Sequence, residues 1–175
     1  FALNLLRHLS EGPGIISPRT LDLANIGRRI PMSTLRSLTS GGGTSKAKSP
    51  WDPLLTKVWR HTLLTARTAE ILAQDRLRRE PGAIYTIALL HNVGEIAIID
   101  LFRGLGHKAP KDGVARGPLL REMNRFHEII GAVILKRWKL PSIVSAVAKG
   151  HHDPESYDPN SPHGRYAALI GCASA

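Results

Sequence analysis

The stretch Ala88–Ile99, ALLHNVGEIAII, is a nearly continuous apolar run interrupted by His91, Asn92 and Glu95. Ile84, Ile87 and Ala88 precede His91 at helical spacing, so the pattern turns the imidazole inward on a helix from Ala83 to about Leu101. A histidine and its neighbour inside a buried helix point to a metal site. Such a pair normally carries aspartate after the histidine, and here the neighbour is asparagine.

Outward from this run the periodicity is helical throughout, with no run of alternating β-branched residues, which makes the fold class all-α. Toward the C-terminus, Arg103–Pro118 reads as a polar loop. Leu120, Met123, Phe126, Ile130, Val133, Ile134 and Trp138 mark an amphipathic helix that stops at Leu140-Pro141. Pro141 opens a helix carrying Ile143, Val144, Val147 and Ala148 to His151; DPESYDPNSPHG is a loop, and a last helix begins near Tyr166. Toward the N-terminus, a helix over Asp52–Arg79 aligns Leu55, Val58, Thr62, Ala66, Ala69 and Ala73. Thr39–Pro50 is rich in glycine and serine and reads as a flexible loop. Before it, Leu3, Leu6 and Leu9 mark one helix, Ser17-Pro18 starts a second that runs to Ile26, and Ser33 caps a third.

The bulk properties bound the functions. The 175 residues suit one domain or a core with an appendage, and no apolar stretch is expected to reach the length of a bilayer span. Both ends fall inside apolar patterns, without an initiator Met or visible signal peptide, so the chain reads as a piece of a longer protein. One cysteine, Cys172, excludes an internal disulfide and fits a cytoplasmic location. The net charge of +10 raises nucleic acid as a partner, with seven Lys/Arg against two acids in residues 1–50. Yet no aromatic residues alternate with the basic ones, as a base-stacking surface requires, and no phosphate-cradling glycine loop is present.

Five histidines, His61, His91, His127, His151 and His152, fall on or beside apolar stripes. His91 and His151 continue theirs, whereas His61 and His127 lie at the edges. One such residue is ordinarily a hydrogen-bonded core histidine. Five on four helices sharing one small core point to a ligand set as readily as to core packing, because imidazole is the commonest side-chain metal ligand.

The segments VWRHTLLTA, ALLHNVGEI, FHEIIGAVILKRWKLPSIVSAVAKGHHDP and YAALIGCASA resemble successive motifs of the HDOD domain, the HD-related output domain. ALNLLRHL and ISPRTLDLANIGRRIPMSTLRSL resemble the helical N-terminal half of the same domain. The resemblance implies residues 1–45 as part of that half and residues 46–175 as an HD-like helical core truncated at its C-terminus. It also implies a role in bacterial signalling or regulation, through a signalling protein partner or a small ligand. The HD hydrolases carry His-Asp where this chain has His91-Asn92, and the HD-GYP phosphodiesterases have lysine where it has Glu95. The last metal-binding aspartate aligns with Ser174, and no Gly-Tyr-Pro follows His151-His152.

These replacements decide the expected chemistry. Two divalent ions among neutral histidines would leave uncompensated charge in a poorly solvated site. The expected set is therefore a vestigial or weak one: His61, His91, Asn92, His127, His151 and His152. No cofactor is expected for function, although a single zinc, iron or manganese ion is chemically reasonable. The leading reading is a non-catalytic regulatory module. The alternatives are a metal-dependent phosphohydrolase on a nucleotide or cyclic dinucleotide, and a nucleic-acid-associated regulator using the basic surface.

Overall fold

The computed structural model describes residues 49–76, 81–109 and 116–175. The three N-terminal helices, the boundary at residues 45–46 and most of the Thr39–Pro50 loop fall outside the described residues. The described residues form six α-helices and one 3-10 turn, with no strand among them. The expected all-α class is the class observed.

Helix α1, Asp52–Arg76, begins where Asp52 accepts the Ser49 amide at 2.8 Å, placing a carboxylate at the positive helix end. Its inner stripe follows the one the sequence marks from Val58 onward, where Val58, Thr62, Ala66, Ala69 and Ala73 are buried, whereas Leu55 is only half-buried and Leu54 is buried in its place. The three alanines let α2, Pro81–Leu90, lie close against it, so Ile84 and Ile87 pack with no solvent exposure to speak of. Burying such a side chain contributes about 1.5–3 kcal/mol.

The single helix expected from Ala83 to Leu101 is two. It breaks at His91-Asn92, and α3 then runs over Val93–Gly104. At the break the His91 amide bonds back to the Ala88 carbonyl, three residues earlier, and Asn92 holds φ −101° and ψ 18°. A buried helix pair thus changes direction at the residues that carry the chemistry. Taken together, Pro81–Gly104 is long and apolar enough to cross a membrane, contrary to the expectation from the sequence, but 72% of its most apolar window is buried inside the protein. That is the pattern of a core helix pair.

The helix α4, Arg116–Arg137, starts earlier than expected, inside what reads as the Arg103–Pro118 loop. Its inner face also differs. Phe126 and Val133 were expected inward, but they are 39% and 61% exposed, while His127 and Leu135 are buried. The cause is Gly94 on α3 against Gly131 on α4. A Cβ built on Gly131 would sit 3.3 Å from the Gly94 nitrogen, and one on Gly94 would overlap the His127 carbonyl. The backbones meet at this point, which turns positions 127, 131 and 135 inward.

After α4 the chain turns at Lys139, which adopts φ 54°. A left-handed conformation costs a residue with a Cβ about 1–2 kcal/mol, and a glycine avoids this at some cost in unfolded-state entropy. Lys139→Gly is therefore expected to stabilise the protein by about 0.5–1 kcal/mol, read from the urea midpoint. A lower midpoint would show that the lysine side chain matters there. Helix α5, Ser142–Gly150, a 3-10 turn at Pro154–Ser156 and α6, Pro162–Ser174, complete the fold. Helix α6 begins four residues before Tyr166, because Ser161 accepts the Gly164 amide and Pro162 occupies the first turn.

The interior divides into two apolar clusters. One gathers the second half of α1, α2, the end of α4, α5 and α6, around Ile84, Ile87, Leu135, Val147 and Ile170. The other gathers Trp51, Leu54, Val58, Ile98, Ile99 and Met123. Along α1, between α2 and α3, and along α4, the residues at the join of the two clusters include His61, His91 and His127.

Candidate metal centre

Four segments deliver the histidines to that join. Helix α1 supplies His61, the α2–α3 break supplies His91, α4 supplies His127, and the end of α5 supplies His151 and His152. All five come together. The His91 ring lies 5.7 Å from that of His61 and 4.9 Å from that of His151. The His127 ring lies 5.5 Å from His151 and 5.2 Å from His152, and the last two lie 4.1 Å apart. Ligand atoms of His127, His151 and His152 fall within 4.8 Å of one another. His91, His127 and His151 are buried, His61 is half-buried and His152 faces solvent. His127 was expected at an edge, and the Gly94–Gly131 approach explains why it is inside.

The three buried rings share one hydrogen-bonding scheme. The Nδ1–H of His127 donates to the Met123 carbonyl at 2.8 Å, that of His151 to the Ala148 carbonyl at 3.2 Å, and that of His91 to the Ala88 carbonyl. A ring that donates from Nδ1 and is neutral presents a lone pair at Nε2. All three Nε2 atoms are buried without a partner, as is the Asn92 Oδ1. Each orphaned polar atom costs about 1–3 kcal/mol. Backbone carbonyls that fix the tautomer and aim the other nitrogen are the usual surroundings of metal-bound histidines. The residues fit a metal ion with a preference for nitrogen, such as zinc.

Burial depresses His91 to about 4 and His151 to about 2, and neighbouring histidines add to the effect. At neutral pH both rings are therefore uncharged and able to ligate. The same shifts carry a stability prediction for the metal-free protein. Their folded pKa values lie below the unfolded value of 6.5, so the unfolded chain takes protons that the folded one refuses. Their stability contribution is complete above pH 6.5 and falls with acid, by about 1.4 kcal/mol per pH unit for each ring. For His91 the loss continues down to about pH 4. Urea midpoints between pH 7.5 and 4.5 are expected to fall less steeply in His91→Gln than in the parent. Parallel profiles would refute the buried neutral ring.

Two carboxylates lie near the rings. Glu128 Oε1 lies 3.8 Å from His151 Nδ1, beyond hydrogen-bond reach, and is itself buried without a partner. Burial raises the Glu95 carboxyl, against the opposing pull of His61, His152 and Lys57 around it. The Ser174 hydroxyl donates to the Gly171 carbonyl within its own helix.

The HDOD domain profile matches residues 29–154. The chain belongs to the HDOD domain family. It is also 24% identical over 166 residues to an uncharacterized protein of Treponema pallidum (strain Nichols), an alignment covering 89% of this chain and 32% of that one. The chain thus spans about a third of that relative's length. No solved structure matches it. Within this HDOD domain the five histidines singled out by the sequence lie near one another. The Gly94–Gly131 approach has only a weak signal in the sequence, a glycine one step from Glu95 and another four residues after His127.

Proposed function

We propose that this HDOD domain is a non-hydrolytic regulatory module whose ligand site is the histidine core, holding one divalent ion through imidazole nitrogens. The observation that carries the reading is the set of three buried Nε2 atoms without partners, each on a ring oriented by a backbone carbonyl. His127, His151 and His152, whose ligand atoms lie within 4.8 Å of one another, would hold the ion, with His91 or His61 completing the set. When bound, the ion would supply positive charge and a direct link between the helices that carry the rings. The protein's own part is to keep the rings neutral, aimed and largely dry.

Regulation rather than hydrolysis is supported by Asn92 and Glu95. A water-activating pair of ions needs fixed anionic ligands, and the residue beside His91 offers a neutral amide. Restructuring around one ion suits a module within a larger regulatory protein, since ligand-linked stability is a means of signalling.

Elemental analysis of protein purified without chelator is expected to find close to one zinc, iron or manganese per chain. His151→Ala should weaken metal binding by more than the roughly 10–100-fold that loss of an outer-shell partner causes. With added manganese, iron or magnesium the protein should not turn over cyclic dinucleotides or nucleoside monophosphates. Turnover that vanishes in His91→Ala would overturn the regulatory reading.

A further inference from the structure

Beside the histidine core lies a cavity of about 240 Å³ between α1, α3 and α4. Leu54, Val58, Leu120 and Met123 give it an apolar wall, and Lys57, His61 and Glu95 stand at its polar side. His61 belongs to both places, since its ring also meets that of His91.

A divalent ion held by neutral imidazoles brings two positive charges into a poorly solvated interior; Glu128, 3.8 Å from His151, offsets part of that charge, and a bound anion would offset more. The cavity is where the neighbouring surface offers room for one. Its wall selects the kind of anion. Lys57 can meet one negative charge, while Glu95 on the same side disfavours a multiply charged head such as phosphate. The four apolar side chains require an apolar body behind the head. The space is roomy enough for a short-chain organic acid.

We propose that this cavity binds a small monocarboxylic acid, its carboxylate toward Lys57 and His61 and its hydrocarbon tail against Leu54, Val58, Leu120 and Met123. The charge argument rests on the metal reading above; the shape argument rests on the cavity alone. Because the acid offsets the ion's charge, the two bind cooperatively, each raising the other's affinity by the same factor.

The test is calorimetric titration of the zinc-loaded chain with acetate and with hexanoate. Each buried methylene is worth about fourfold, so hexanoate should bind at least about tenfold more tightly than acetate. Leu120→Trp, which fills the cavity, should remove that advantage while zinc uptake persists. Lys57→Gln, at an exposed position, should weaken both acids about tenfold without touching the core. Zinc uptake with equal affinity for acetate and hexanoate overturns the cavity proposal and leaves the metal reading intact. Absence of zinc uptake overturns the metal reading instead. Hexanoate is then titrated against the metal-free chain, where a chain-length gain lost in Leu120→Trp supports the cavity site and no gain overturns it.

Discussion

Zinc added to chelator-stripped protein at a hundredfold excess over its Kd should raise the unfolding midpoint by about 5–10 °C. The figure follows from linkage: binding to the folded state alone at that excess adds about 2.7 kcal/mol, and 1 kcal/mol moves Tm by about 2–4 °C in a domain of this size. The zinc-dependent shift should largely disappear in His127→Ala and in His151→Ala, which remove two of the three aimed Nε2 atoms. His107→Ala is the control, because that histidine lies against Phe102, away from the core. It should keep the full shift. An equal shift in parent and His127→Ala would mean that zinc binds elsewhere, and the buried rings would be packing residues.

Gly94→Ala is expected to be the most damaging single methyl addition in the described part of the chain. Its Cβ would overlap the main-chain carbonyl of His127, and backbone on both sides leaves no flexible side chain to yield. Overpacking ordinarily costs about 1–3 kcal/mol, and a backbone clash in a packed helix pair belongs at or above the top of that range. Helices α3 and α4 must separate to admit it, so His127 moves away from His151 and the zinc-dependent shift should vanish as well. Gly104→Ala adds the same methyl to the same helix in open space and should be neutral or stabilise by up to about 1 kcal/mol. Chemical denaturation of the two variants makes the comparison. Equal midpoints would show that α3 and α4 can part without cost.

The two experiments share a physical point. The histidine core is built where helices touch through small residues, so what orders the histidines is backbone proximity as much as the histidines themselves. Gly171 repeats the device on α6, where an added Cβ would overlap the His151 carbonyl. The order of α5 against α6 thereby positions the buried histidine of the pair while its neighbour His152 remains at the surface.

Much of this was legible from residue order. Periodicity marks the stripe Val58, Thr62, Ala66, Ala69 and Ala73, and the inward turn of His91 and His151, because each follows apolar neighbours one helical turn away. The neutral amide of Asn92 directly after His91, where the resemblance to HD hydrolases implies an aspartate, is a matter of chemical identity that needs no coordinates. Periodicity could not find the break at those two residues, since a buried apolar run reads alike whether its helix is one or two. Nor could it choose the inner face of α4, where Phe126 and Val133 make a persuasive apolar stripe. Only the contact of Gly94 with Gly131 decides that face, by letting two backbones meet where larger residues would hold them apart. The free lone pairs of the three buried imidazoles are likewise a tertiary fact. Local hydrogen bonds to Ala88, Met123 and Ala148 set each ring, but convergence from separate helices is what brings the rings together and leaves their other nitrogens without partners.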